Sequence, residues 1–163
     1  MKYNLLISSI ILMLCAFPGI TKAQPLGTNQ VSTANVSYID VFSFGGVGFG
    51  GMPCEGEKLF NKISTRRDAL EQFVNLYGLA QGNDQAKMYA MVGFYYLNRS
   101  LYNHIKANYK NQKIMIKTAN GCLYEAEYLS EILKQLESGY FQEQVPKAWL
   151  RKSPHNRSAW REK

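Results

Sequence analysis

The sequence predicts a mainly α-helical fold, either a compact helical bundle or a short α-solenoid-like array, with one or two short β-strands and one disulfide bond. Apolar residues recur at helical spacing over most of residues 55–138, whereas strand-like alternation is confined to 36–44 and 113–118. Two cysteines remain once an N-terminal leader is set aside. We find no sequence repeat that would support the solenoid alternative.

The first 23 residues predict a cleaved secretory signal peptide. Lys2 precedes the apolar run "LLISSIILMLCAF", and "TKA" ends at Ala23 with small residues at both positions that signal peptidase reads. The run is shorter than the roughly 20 residues that span a bilayer, which disfavours a membrane anchor. The bulky residue before Cys15 disfavours lipid attachment there. We therefore expect an exported protein, periplasmic or secreted, that begins near Gln24.

Cys54 and Cys122 predict one disulfide bond, because two cysteines in an oxidising compartment most simply pair. The alternatives are a reactive thiol or a metal pair. Only His104 and His155 are available as imidazole ligands, and no C-x-x-C spacing occurs, so a zinc site is disfavoured. We expect no metal and no cofactor.

The stretch "GGVGFGGMPC" contains the spacing G-x-G-x-x-G at Gly46, Gly48 and Gly51. In dinucleotide-binding proteins the last of these glycines lies in the opening turn of a helix. Here Pro53 follows, which suits at best the first helical position, and the G-K-S/T of a phosphate loop is missing. We interpret the glycines as a pliant connector that leads to Cys54.

Two strands and five helices are predicted in order along the chain. The stretch "VSYIDVFSF" (36–44) is rich in β-branched and aromatic residues in near alternation, which indicates a strand. A short helix is expected over 55–64. Thr65 and Asp68 have the S/T-x-x-D/E spacing of a capping box, which predicts the start of the next helix.

The central helix is predicted at "QAKMYAMVGFYYLN", with Asn83 or Asp84 as its cap. It is apolar on nearly every side, which is typical of a helix in the middle of a domain. Ser100 is expected to cap the helix that follows. Residues 113–118 alternate lysine or methionine with isoleucine and predict a half-exposed strand, and a last helix is expected to stop at Gly139.

The combination of "AKMYAMVGF", a "GC" pair after a short apolar strand, and a leucine-bearing helix that ends at Gly139 resembles a group of small exported bacterial proteins of unknown function. The resemblance covers about residues 54–140 and implies a helical, disulfide-bearing exported domain. It brings no catalytic residues.

The chain is expected to divide into the signal peptide (1–23), an N-terminal extension with a strand and the glycine connector (24–47), a helical domain (48–145) and a basic, flexible tail (146–163). The tail accounts for most of the formal net charge of +7. Tryptophans interleaved with cations suit an anionic surface. We expect weak contacts with such a surface, and none with nucleic acid, from Trp149, Arg151, Lys152, Arg157, Trp160 and Arg161.

Tyrosines are concentrated around the central helix and the helix after it. Their half-apolar rings are enriched in binding surfaces, so the candidate binding surface consists of Tyr89, Tyr95, Tyr96, Tyr102 and Tyr109. The functional hypothesis is a non-catalytic exported protein that binds a protein partner in the cell envelope, such as a periplasmic inhibitor or immunity-type protein. The alternative is a small envelope hydrolase that uses His104 with a carboxylate such as Glu127.

Overall fold

The structure, a computed structural model, describes residues 31–150. This part of the chain is mainly helical and contains one two-stranded antiparallel sheet, which confirms the predicted class. No helix in it is both long enough and apolar enough to cross a bilayer. The elements are α1 (Thr33–Ser37), α2 (Glu55–Ser64), α3 (Ala69–Leu79), α4 (Asp84–Leu97), α5 (Arg99–Tyr109), β1 (Met115–Asn120), β2 (Leu123–Tyr128), α6 (Leu129–Ser138), a 3-10 turn (Gln142–Gln144) and α7 (Lys147–Leu150).

Helix α4 is the centre of the fold, as its sequence predicts. Asn83 caps it, since the side-chain oxygen of Asn83 accepts a hydrogen bond from the amide of Ala86 at 2.9 Å. Ten of its fourteen residues are buried, and α2, α3, α5, β1 and α7 all contact it. Such a helix is held by tertiary packing on every side and not by an amphipathic stripe.

Two glycines allow this close packing. Gly93 of α4 lies against the ring of Phe73 in α3, and Gly56 of α2 lies against the ring of Tyr89 in α4. A Cβ atom at either position would overlap the facing ring, so the helices approach at distances that only glycine permits.

The starts of two helices differ from the prediction. Asp68 does not close a capping box with Thr65; its carboxylate instead accepts hydrogen bonds from Arg66 Nε at 2.7 Å and from Gln72. A charge-assisted bond to the guanidinium is stronger than a backbone cap. Helix α5 is capped by Asn98, whose side chain accepts from the amide of Leu101, and not by Ser100.

Strands β1 and β2 form a hairpin through the two-residue turn Gly121–Cys122. The register pairs Met115 with Tyr128 and Asn120 with Leu123. Gly121 has a φ of +57° at the first turn position, where tight hairpins favour glycine. Strand β1 is half-exposed, as predicted, but β2 lies where the last helix was expected to begin. Helix α6 follows directly and ends at Gly139 with a φ of +88°, which confirms that stop.

The predicted strand over residues 36–44 is wrong. Val36 and Ser37 belong to α1, which Ser32 caps, and from this stretch only Phe42 forms a β-bridge, parallel to Thr118 of β1. The amide of Phe42 donates to the carbonyl of Lys117 at 2.8 Å. The alternating apolar residues of this stretch pack into the helical core, so core packing and not sheet pairing explains the pattern.

The core extends beyond the expected domain limits of 48–145. Val36 and Phe42 belong to it on the N-terminal side, and Trp149 of α7 belongs to it on the C-terminal side. Trp149 is 8% exposed, and its ring centre lies 6.0 Å from those of Phe60 and Phe73. The tail therefore begins after α7, and Trp149 is a core residue instead of a surface contact. The other predicted tail contacts, Arg151, Lys152, Arg157, Trp160 and Arg161, lie outside the described residues.

Candidate functional site

Cys54 and Cys122 are free thiols, so the structure does not support the predicted disulfide. Cys54 is the residue before α2, and its Sγ lies 3.1 Å from the hydroxyl of Tyr89; Cys122 is exposed in the hairpin turn.

The glycine-rich stretch 45–52, which we call the glycine loop, is hydrogen-bonded to the hairpin turn. Within it Val47 pairs with Met52, and the amide of Gly48 donates to the carbonyl of Gly121 at 2.8 Å. The glycine loop thus runs between the segments that carry the two cysteines.

Two amides of the glycine loop donate to a side chain of the protein itself. The carboxylate of Glu57 accepts hydrogen bonds from the amides of Gly45 at 3.1 Å and Gly46 at 3.3 Å, and Glu57 is buried. Both glycines have a positive φ, so their amides converge on one oxygen-bearing group. The loop therefore holds a carboxylate of α2 and is tied in place by hydrogen bonds, which corrects its description as merely pliant.

The predicted tyrosine surface is wrong. Tyr89, Tyr95, Tyr96 and Tyr102 are buried, and only Tyr109 is partly exposed. Burial raises the pKa of the Tyr96 hydroxyl to about 12 and raises that of Tyr89 further. These rings fill the space between helices because α4 is enclosed, and no partner could reach them without unfolding the core.

A polar cluster around Glu137 joins helix α5 to helix α6. The carboxylate of Glu137 accepts from Lys106 Nζ at 2.6 Å and from the hydroxyl of Tyr102 at 3.1 Å. Burial opposes ionisation of Glu137, but the two hydrogen bonds together with the positive charges of Lys106 and Arg99 outweigh it and hold the pKa below its usual value. Arg99 stacks 3.9 Å over the ring of Tyr95 beside them. Arg99 also forms an ion pair with Glu137, although its Nη1 is buried without a hydrogen-bond partner among residues 31–150. The carboxylate of Glu137 thus links α5 to α6, which indicates a structural role.

Several of the exposed large side chains of the described residues lie on the hairpin. Met115 is 47% exposed, Tyr124 59% and Tyr128 50%. Opposed residues of a hairpin share a face, so these side chains and those of two further exposed residues lie on one side. We call this surface the hairpin face: Met115, Lys117, Tyr124, Ala126 and Tyr128.

The outer edge of β2 has no backbone partner among residues 31–150. The amide of Leu129 donates to the carbonyl of Ile114 at 2.9 Å, which places that pair in the hydrogen-bonded class of the ladder. Hydrogen-bonded and non-hydrogen-bonded pairs alternate along an antiparallel ladder. The backbone amides and carbonyls of Leu123, Glu125 and Glu127 therefore bond to β1. The amide and carbonyl groups of Tyr124 and Ala126 consequently point away from the sheet.

A groove of about 160 Å³ lies on the opposite side of the hairpin from the hairpin face. It runs between β2, α6 and the segment after α6. Its floor includes Phe42 and Phe141, and its wall carries Glu125 and Glu127. Glu127 accepts hydrogen bonds from Thr118 and from Gln135 Nε2, the latter at 2.9 Å. Leu123 and Tyr140, both largely exposed, also line it.

The residues of the alternative hydrolase are not brought together. His104 is exposed on α5 and makes no hydrogen bond or ion pair within the described chain, whereas the oxygens of Glu127 are bonded to neutral side chains. A general base needs to lie within hydrogen-bond reach of its partner groups. Among residues 31–150, no three side chains of His, Cys, Asp or Glu are grouped in a way that would hold a metal ion.

A second, larger groove of about 430 Å³ separates α5 from the start of α6. It is lined by Lys106, Lys110 and Lys134 over a floor of buried Leu129 and Leu133. Lys106 and Lys134 are paired within the protein, with Glu137 and Glu131. The charge left for a ligand is therefore small.

No family model, curated protein or solved structure matches this chain. The resemblance to small exported bacterial proteins stays a prediction.

Proposed function

We propose that this chain is an exported protein that binds a partner protein in the cell envelope, in the manner of an inhibitor or immunity-type protein that occludes its partner. The partner docks on the hairpin face and on the free edge of β2. The observation that carries this proposal is the coincidence, on one strand, of half-exposed tyrosines with a backbone edge that is unpaired within residues 31–150. Exposed edges are templates for pairing with another chain.

The hairpin is held firmly by the rest of the fold. Ile116 of β1 is buried in the core, and Phe42 bonds to the other edge of the same strand. The turn is tied to the glycine loop through Gly121. A surface that is ordered before the partner arrives loses less conformational entropy on binding, which favours affinity.

The tyrosines supply the contact area that such a surface needs. Tyr124 and Tyr128 present large rings with polar tips, a combination that is enriched among residues that dominate binding energy. Lys117 lies 5.4 Å from the ring of Tyr124, which keeps that ring in place on the hairpin face. Phe49 and Met52 of the glycine loop are also exposed and extend the apolar surface near the turn.

The basic residues after Leu150 have a separate role in this proposal. They add weak, salt-sensitive attachment to an anionic envelope surface, since clustered Lys and Arg gain about 1 kcal/mol each near anionic lipids. A chain that ends at Leu150 should keep its fold and lose binding to anionic vesicles at low salt. Vesicle binding that survives this truncation would contradict the assignment.

Capture of a partner from the cell-envelope extract tests the main proposal, with the mature protein as bait. The Tyr124→Ser, Tyr128→Ser double variant should lose the captured protein, because both rings of the hairpin face are removed. Tyr38→Ser is the matched control, since Tyr38 is 71% exposed but lies outside the hairpin. The captured protein should then bind the purified bait directly. Equal capture by the double variant and the control would contradict the proposal.

A further inference from the structure

We propose that the segment of the partner that docks on β2 is a basic, extended peptide, which adds to the sheet as a third strand and points its Lys or Arg side chains at Glu125 and Glu127. This inference rests on the proposed function and specifies the chemistry of the partner.

The backbone of β2 fixes where such a strand binds. Tyr124 and Ala126 present their amide and carbonyl groups outward, two residues apart, which is the spacing that a neighbouring strand requires. The opposite edge of the sheet is already covered by Phe42, which bonds to Lys117. The added strand therefore binds beside β2 and not beside β1.

Alternate side chains of the added strand face opposite sides of the sheet. On one side they meet the hairpin face, where the rings of Tyr124 and Tyr128 suit apolar residues. On the other side they meet Glu125 and Glu127 at the wall of the groove of about 160 Å³ between β2 and α6. The partner segment is thus expected to alternate apolar residues with residues that complement two carboxylates.

The carboxylates select cations because no cation within the described chain neutralises them. Glu125 and Glu127 form no ion pair there, and the donors that reach Glu127 are the neutral side chains of Thr118 and Gln135. The lysine nearest along the sheet, Lys117, lies on the hairpin face. A long basic side chain could lay its apolar stem against Leu123 and place its charged end at the groove wall.

Two synthetic peptides test the charge preference. One is an eight-residue peptide in which valine and tyrosine alternate with lysine, and the other carries glutamate in place of each lysine. Fluorescence anisotropy at moderate salt should give the lysine peptide an affinity at least about tenfold higher for the full mature chain. Glu125→Lys should remove this difference, because the new cation offsets the remaining carboxylate of Glu127, whereas the charge-conserving Glu125→Asp should keep it.

A pair of substitutions at Ala126 tests the backbone pairing. Ala126→Pro removes an outward amide without breaking a hydrogen bond to β1, so it should abolish peptide binding and leave the melting temperature nearly unchanged. Ala126→Val keeps the amide and should retain binding. Equal binding of the lysine peptide to both variants would overturn the added-strand arrangement.

The remaining outcomes separate this inference from the proposed function. Loss of peptide binding in Ala126→Pro, with no difference between lysine and glutamate peptides, would overturn the basic partner and leave edge docking intact. Peptide binding that appears only after truncation at Leu150 would show that the chain's own tail occupies the edge, and would overturn an external partner. A dimer that Ala126→Pro converts to a monomer would identify a second copy as the occupant, with the same consequence.

Discussion

Two sets of tyrosines in this protein have opposite surroundings. Tyr89, Tyr95, Tyr96 and Tyr102, on α4 and α5, are enclosed by helices, whereas Tyr124 and Tyr128, on β2, are half exposed. The ring is the same, and the local sequence is rich in apolar residues in the first case and in glutamate in the second. The exposure of a tyrosine therefore depends on how many sides of its helix or strand are covered by other elements.

The two elements differ in this respect. Helix α4 contacts five other elements, so nearly all of its surface is covered. Strand β2 pairs with β1 along one edge only, and its other edge and its outer face have no covering element among residues 31–150. Tyrosines that are equally apolar can therefore build a core in one place and an exposed surface in the other.

The largest expected effect is on stability. Tyr102→Ala should lower the free energy of unfolding by about 3–5 kcal/mol, because it opens a cavity and removes a hydrogen bond to Glu137. Tyr124→Ala should change it by about 0.5 kcal/mol or less, since the side chain is mostly in solvent. Urea denaturation measures both. Similar losses in the two variants would erase the distinction between the two sets.

Trp149 tests whether the core of aromatic residues includes α7. Trp149→Ala should lower the free energy of unfolding by about 3 kcal/mol, because its ring packs against Phe60 and Phe73. Truncation after Leu150 is the control and should cost much less, since Trp149 remains. A neutral Trp149→Ala would assign this residue to the tail.

Alkaline titration should distinguish the two sets without mutating the core. Burial raises the pKa of Tyr96 to about 12, above the ordinary value of about 10. The folded state then keeps a proton that the unfolded state loses, so stability is complete below pH 10 and falls as the pH rises towards 12. Chemical denaturation across this range measures the loss. A variant with Phe at Tyr124 and Tyr128 should show the same profile, and a profile that shifts with those two residues would contradict the assignment.

Much of the helical part could be predicted because its signals are local. Asn83 caps α4, Gly139 ends α6, and the apolar run of α4 indicates a central helix, all within a few residues of the element. Strand β1 was predicted by its alternation. The fold class can therefore be predicted from the hydrophobic periodicity of the sequence and from the residues that begin and end its helices.

The hairpin face was not predictable in the same way. The stretch "LYEAEY" of β2 contains glutamate and alanine, which are depleted in strands, and the leucines after it favour a helix. The one available signal was Gly121, because glycine is favoured at the first position of a two-residue hairpin turn. Which tyrosines face solvent, and whether Trp149 docks on the core, depends on contacts between residues distant in the chain, and local patterns do not contain them.

The hydrogen bond from Ser43 Oγ to the carbonyl of Ala119 spans 76 residues and has a consequence for folding. The hairpin and the α4–α5 pair close between neighbours in sequence, whereas the N-terminal segment must close a long loop before it reaches β1, so it is expected to dock late. Until then both edges of the sheet and the ring of Phe42 are open to solvent. During synthesis, such an intermediate would expose a sheet that can pair with other copies, and crowding by nascent chains would favour aggregation there.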